Sequence, residues 1–336
     1  MVGQRVEEGY LFRGFRGEKR ERDSGAELVF DVSQEYGGYE LMRQFWVAML
    51  AGLLLTPPHA WPRDCLYTYW SDNSQRYLEA IQKANGLPAV AVPEGEKVCG
   101  GIVTHHFLAS GLMVRFFAAL SQHAAPETIV LLAPNHFHQG LAGISVSSLP
   151  WKTPFGLYPA RKEMVHEISR AVQAPEDPEA FSGEHSVGVL IPFLKYYFPQ
   201  SRVVPVLIDV NADKMQLRAL RDVLEASAKN PKTLILLSMD FSHDSTIAIA
   251  DARDQEAQKV VASMDDSKTS ALHTDCRKGL WVLLEAAKSA GCQRAQILEH
   301  SNSAQLLGRP EQPDVTSYFT VLFLAGPQQP KTVSLH

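Results

Sequence analysis

Thr128-Ile129-Val130-Leu131-Leu132-Ala133-Pro134-Asn135-His136-Phe137-His138 decides how this chain is read. Its first six residues form a continuous apolar, β-branched run, the mark of a strand buried on both faces, and a proline and two histidines follow at once. The same order recurs along the chain. Ile102-Val103 runs into Thr104-His105-His106, Leu234 to Ser238 into Met239-Asp240-Phe241-Ser242-His243, and Ile297-Leu298 into Glu299-His300-Ser301-Asn302-Ser303. Strands are expected at 101–103, 128–133, 144–147, 202–209, 233–238, 295–299 and 318–324. Helical apolar spacing fills the intervals at 110–122, 161–172, 185–197, 213–229, 252–264 and 279–290. This alternation predicts an α/β fold with a mostly parallel central sheet and flanking helices. In such a sheet the carboxyl ends of the strands share one edge, and ligands bind in the crevice there. The four His-bearing segments are therefore expected on one rim. A fifth, Gly183-Glu184-His185-Ser186, sits where a loop turns into a helix and can reach the same place.

Composition narrows the function classes. The 336 residues carry 32 Lys and Arg against 37 Asp and Glu, a net charge of −5 with no basic block, which argues against a nucleic-acid partner. Cys65, Cys99, Cys276 and Cys292 show no CxxC spacing, so free thiols or a single ligand are expected rather than bridges. Residues 1–40 are polar, hold the charge run 16–23 and show no sustained apolar period, the composition of a disordered or extraneous segment. Residues 41–95 read as an apolar segment and linker, 96–326 as the α/β domain and 327–336 as a tail. The apolar stretch 43–55 is too short for a bilayer, which needs about 20 apolar residues, so no stable membrane span is expected. It reads either as a packed helix, which goes with a cytoplasmic protein and is the reading carried here, or as an export signal that begins at Met42-Arg43 and ends at Ala60.

Clustered imidazole and carboxylate are ligands for Fe, Zn, Ni or Cu, and two His with one carboxylate leave positions open for water, oxygen or substrate. A closed structural zinc site would show paired short spacing of Cys and His, which is absent. The GxSxG, GxGxxG and P-loop motifs are absent too, so serine-hydrolase, dinucleotide and nucleoside-triphosphate readings lose their usual support. Surplus His, Asp and Glu around a metal would orient its ligands or move protons.

The stretches 104–111, 132–136, 151–156, Glu184-His185-Ser186, Pro192-Phe193-Leu194, 203–206 and 238–243, in that order, resemble the Memo family, which includes the AmmeMemoRadiSam system protein B. The resemblance implies a class III extradiol-dioxygenase-like fold. It also implies metal ligands at His105, with His106 as a substitute in a shortened loop, and at His136. Glu184, His185, Asp240 and His243 then become the catalytic candidates, and the third ligand is expected from Asp240, His243, His185 or Cys276. In animal members a Cys at the start of a late helix adds a ligand. Cys276 falls there, but Arg277 and Lys278 replace the Gly-Arg continuation. Those cations and the helix N-terminus could lower its pKa, and a thiolate ligand would favour Cu(I) or Zn, whereas nitrogen and oxygen ligands would favour Fe(II). The expectation is thus a metal-dependent enzyme, with Fe(II) leading and Cu or Zn as alternatives, acting on a small molecule of unknown identity and with a radical SAM protein as a partner implied by the resemblance. The alternative is a binding module that grips a peptide, protein or metal ion in the same crevice.

Overall fold

Apolar, β-branched runs become the strands of a seven-stranded sheet, and its order places the histidines. The computed structural model describes residues 64–93 and 95–326. The readings of 1–40, of the apolar stretch 43–55 with its end at 56–60, and of the tail 327–336 lie outside them. In chain order the strands are β1 Leu66–Tyr67, β2 Lys97–Val103, β3 Thr128–Pro134, β4 Ile144–Val146, β5 Trp151–Thr153, β6 Gly156–Tyr158, β7 Arg202–Ile208, β8 Thr233–Ser238, β9 Arg294–Asn302 and β10 Ser317–Ala325. The helices are α1 Ser74–Asn85, α2 Ser110–His123, α3 Lys162–Ala171, α4 His185–Gly188, α5 Ile191–Tyr197, α6 Lys214–Ala228, α7 Ile247–Ser263, α8 Arg277–Ser289 and α9 Ser303–Leu307.

The large sheet has the order β4-β7-β3-β8-β2-β10-β9, and β1, β5 and β6 form a small second sheet. Strands β7, β3, β8 and β2 are mutually parallel, while β4, β10 and β9 join antiparallel. The parallel expectation therefore holds for the four central strands and gives way at the flanks. Alternate residues point to opposite faces. In β3, Val130 and Leu132 enter one core, packed under α3, α6, α7 and α8, while Ile129, Leu131 and Ala133 enter the other, under α1, α2 and α5. Helices on both faces make an α/β/α sandwich.

Residues 64–93, read from sequence as linker, add β1 and α1 to the second core. Tyr77, Ile81 and Ala84 repeat at helical spacing and are buried, and Asn73 caps the helix by accepting from the Arg76 amide. Two glycines let β2 sit tightly between its neighbours. A Cβ on Gly100 would lie 2.6 Å from the Ile235 carbonyl oxygen, and one on Gly101 2.6 Å from that of Val321.

The helix expected over 185–197 is broken in two. Pro192 has no N–H for the Gly188 carbonyl, which accepts instead from the Tyr69 amide at 3.2 Å. Helix α7 starts at Ile247, earlier than expected, where Thr246 accepts from the Ile249 amide. The expectation of unbridged cysteines fails at one pair: Cys99 in β2 and Cys292, beyond α8, form a disulfide across 193 residues of sequence. Both are buried against the same apolar core, a proximity that spacing along the chain does not reveal. No helix among the described residues is long and apolar enough to cross a membrane.

Candidate metal centre

The ends of three strands carry four members of the site. His105 follows β2, His136 follows β3, and Asp240 and His243 follow β8, all at the carboxyl edge of the parallel strands, while His185 opens α4. One ring nitrogen each from His105, His136 and His185 lie within 4.8 Å of one another. The rings of His136 and His185 stack with centroids 4.3 Å apart, and His105 meets them edge-on at 5.0 and 5.3 Å.

Hydrogen bonds at the outer nitrogens set which face of each ring is free. Ser238 Oγ gives its one proton to the Ser186 carbonyl (2.6 Å) and so accepts from His105 Nδ1 (2.9 Å), leaving Nε2 bare toward the cluster. His136 Nδ1 donates to Glu184 Oε1 at 2.9 Å, and the His136 amide donates to Oε2 at 2.8 Å. The same Oε1 accepts from the Ser186 amide at 2.9 Å. This carboxylate-imidazole pairing fixes the ring and its tautomer, as around ligated metals generally.

Charge follows from these contacts. Burial, with the nearby His105 and His136, depresses His185 to about 4, and burial likewise brings His105 to about 4, so both rings offer unprotonated nitrogen at neutral pH. Burial also disfavours a charged His136, but the carboxylates of Asp275 and Glu184 overcome it and hold the ring at about 10. Against its own burial, Glu184 is held at about 2 by His136 and the Ser186 amide. Burial and the Asp275 charge push Asp240 up to about 6. Its Oδ1 accepts from the hydroxyl of Thr104 and from the His105 amide at 3.2 Å.

Asp275 is the residue that sequence reading passed over. Its Oδ2 lies 3.4 Å from His105 Nε2, 3.6 Å from His136 Nε2 and 3.6 Å from His243 Nε2, so one carboxylate oxygen faces three imidazoles. A nitrogen of His105 and oxygens of Asp240 and Asp275 form a second group within 4.8 Å. Burial would raise Asp275, yet the facing imidazoles of His136 and His243 hold it well below the usual carboxylate range. The sequence signal was a carboxylate opening the same late helix as Cys276. Cys276, its neighbour, is in neither group among the described residues. It is buried with Ile208 and Leu237 of the apolar core, and burial pushes its thiol up, the reverse of the lowering that Arg277, Lys278 and the helix N-terminus suggested.

Other histidines find separate partners. His106 turns to the Tyr318 hydroxyl (2.7 Å) and His138 to Asp209 (2.8 Å). His300 does not reach the rim, because β9 continues to Asn302; it bonds Asp254 at 2.9 Å and stacks on Phe319. The cluster opens into a cleft of about 350 Å³ walled by His136, His243 and Asp275 together with Arg253, His273 and Arg277.

The donor set fits a first-row transition metal. Bare imidazole nitrogens converge with a carboxylate, orienting groups stand behind two of the rings, and among the described residues the buried His243 Nε2 has no hydrogen-bond partner.

Comparison with known proteins gives consistent relatives. The chain is 27% identical over 257 residues to a MEMO1 family protein of Pyrobaculum aerophilum, covering 73% of this chain and 90% of that protein. It is 26% identical over 252 residues to one from Methanopyrus kandleri, covering 71% and 84%. Among solved structures, an uncharacterized protein of Escherichia coli K12 aligns at 11% identity with a TM-score of 0.44, over 66% of this chain and 98% of that one. The profile of Memo-like proteins matches residues 66–321, which span every residue of the cluster, and the chain therefore belongs to the Memo family.

Proposed function

We propose that this protein is a metal-dependent enzyme that uses Fe(II) for redox or oxygen-using chemistry on a small molecule held in the cleft beside His136 and His243. The observation that carries the reading is the convergence of ring nitrogens from His105, His136 and His185 within 4.8 Å at a strand edge that opens to solvent. His105 and His136 would hold the ion, with a further ligand from His185 or Asp275. Fe(II) suits nitrogen and oxygen donors, and the burial of Cys276 among apolar side chains removes the main argument for Cu(I). When bound, the metal supplies a Lewis acid that lowers the pKa of water and a centre for one-electron chemistry.

The chain's own residues do the rest. Glu184 keeps His136 in one tautomer, and Ser238 does the same for His105. His243 stands at the cleft wall, where burial opposes its charge but Asp275 and Asp240 outweigh burial and raise its pKa. It is therefore more readily protonated than an ordinary imidazole and is placed to give a proton to a group in the cleft. Asp240, raised to about 6, titrates near neutrality and can take up a proton relayed from that side.

Protein purified without oxygen and reconstituted in turn with Fe, Zn and Cu tests the reading by elemental analysis and oxygen uptake. About one Fe per chain, with turnover of a small molecule that stops on chelation, is the expected result. Preparations that stay empty of all three metals would end it, and metal uptake without turnover of any compound would move the protein to the binding-module class.

A further inference from the structure

The cleft beside the cluster carries cations that no internal acid neutralises. Arg253, half-buried on α7, and Arg277, exposed at the first position of α8, both line it, yet among the described residues neither guanidinium has an ion pair or a hydrogen bond. Five of the other nine arginines in the described chain do have such partners: Arg115 pairs with Glu299, Arg161 with Glu163, Arg221 with Asp222 and Arg294 with Glu96, and Arg170 donates to the His166 carbonyl. His273 adds a third nitrogen donor to the same wall, exposed beside the two arginines. Thr274, next to it, has a buried hydroxyl without a hydrogen-bond partner among the described residues. The acids of the wall are Asp275, which is engaged by three imidazoles, and the exposed Asp244.

Planar guanidinium forks match oxyanions bidentately, and a low-dielectric wall strengthens the contact. We infer that the substrate of this site is an organic anion whose carboxylate or phosphate group is held by Arg253 and Arg277, so that the rest of the molecule lies against His136, His243 and Asp275. The inference rests on the proposed function in taking this cleft as the active site, but the anion contact is made by residues that hold no metal. At about 350 Å³ the cleft takes a compound of modest size, near the low end for small-molecule sites. The two arginines come from different helices, α7 and α8, so they fix the direction of the anion as well as its charge.

Titration calorimetry on the intact protein, metal-free and metal-loaded, tests this with phenyl phosphate and benzoate as anionic probes and benzamide as the neutral shape control. The wild type is expected to bind one or both anions at least tenfold more tightly than benzamide, and the stronger of the two identifies the oxyanion. Arg253→Gln and Arg277→Gln should each weaken the anion several-fold and the double variant at least tenfold, while Lys83→Gln, on α1 away from the cleft, should change nothing. Because the charge selectivity is read on the wild type, a variant that fails to fold does not decide the matter. Benzamide binding as tightly as the anions, or a folded double variant that keeps wild-type anion affinity, would overturn the inference. Metal content measured on the same samples separates the two readings. Selective anion binding by protein that takes up no metal would sink the metal enzyme and leave the anion site standing, and metal uptake without charge selectivity would do the reverse.

Discussion

His136 and Glu184 are joined twice: Nδ1 of the ring lies 2.9 Å from one carboxylate oxygen, and the backbone amide of the same residue lies 2.8 Å from the other. One acid thus fixes both where the chain leaves β3 and how the imidazole is turned.

Glu184→Gln should keep the fold and the metal stoichiometry but weaken metal affinity about 10- to 100-fold, because an amide orients the ring less firmly and lowers its basicity. His136→Ala should remove most of the affinity. His123→Ala, at the far end of α2, should leave it unchanged. Competition with a chromophoric chelator ranks the three, and equal affinities for the His136 and His123 variants would contradict the assignment.

Metal uptake should release about one proton per chain at neutral pH. In the metal-free protein His136 stays protonated up to about 10, whereas His105 and His185, at about 4, are already neutral and contribute none. Metal needs the neutral ring, so affinity should fall about tenfold for each unit of pH lowered below 9. Calorimetry in buffers of different ionisation enthalpy counts the protons, and an affinity flat between pH 6 and 9 would show that His136 is not the group displaced.

Cys276→Ser should leave metal content and identity unchanged, since the thiol packs with the apolar core rather than the cluster. The serine hydroxyl would instead be buried there, at a cost of about 1–3 kcal/mol if unbonded. Elemental analysis beside a thermal melt separates the two effects: loss of metal with an unchanged melt would make Cys276 a ligand after all.

Protein denatured without reductant should show two free thiols, those of Cys65 and Cys276, and four after reduction. Reduction should cost about 2–5 kcal/mol of stability, because it frees a long loop in the unfolded chain. Disulfides persist mainly in oxidising compartments, so native material is expected outside the cytoplasm, and if Met42 opens an export signal its N-terminus is expected near Trp61. Four free thiols in native protein, or an intact residue 1, would return the chain to the cytoplasmic reading.

How much of this was legible beforehand differs from residue to residue. The strands carrying His105, His136 and Asp240 announced themselves, because a β-branched run buried on both faces has few other readings and a parallel sheet forces its ends together. Cys99 and Cys292 gave no sign of meeting, since contact across 193 residues depends on sheet order rather than spacing. Asp275 was hidden by its neighbour: a carboxylate and a thiol side by side at a helix start are equally plausible ligands until burial shows that Cys276 enters the core and Asp275 the cleft. The short strands β1, β5 and β6, two or three residues each, carry too little periodicity to be seen.

The break at Pro192 makes the early chain a clasp for the active edge. The Tyr69 amide closes the Gly188 carbonyl, three residues from His185, and the Tyr77 hydroxyl donates to the Tyr69 carbonyl at 3.1 Å. A fragment cut to begin at the first long strand would still hold every cluster residue, yet would leave that carbonyl bare and loosen the turn that aims His185. Trimming the protein to its sandwich would therefore blunt the site without touching it.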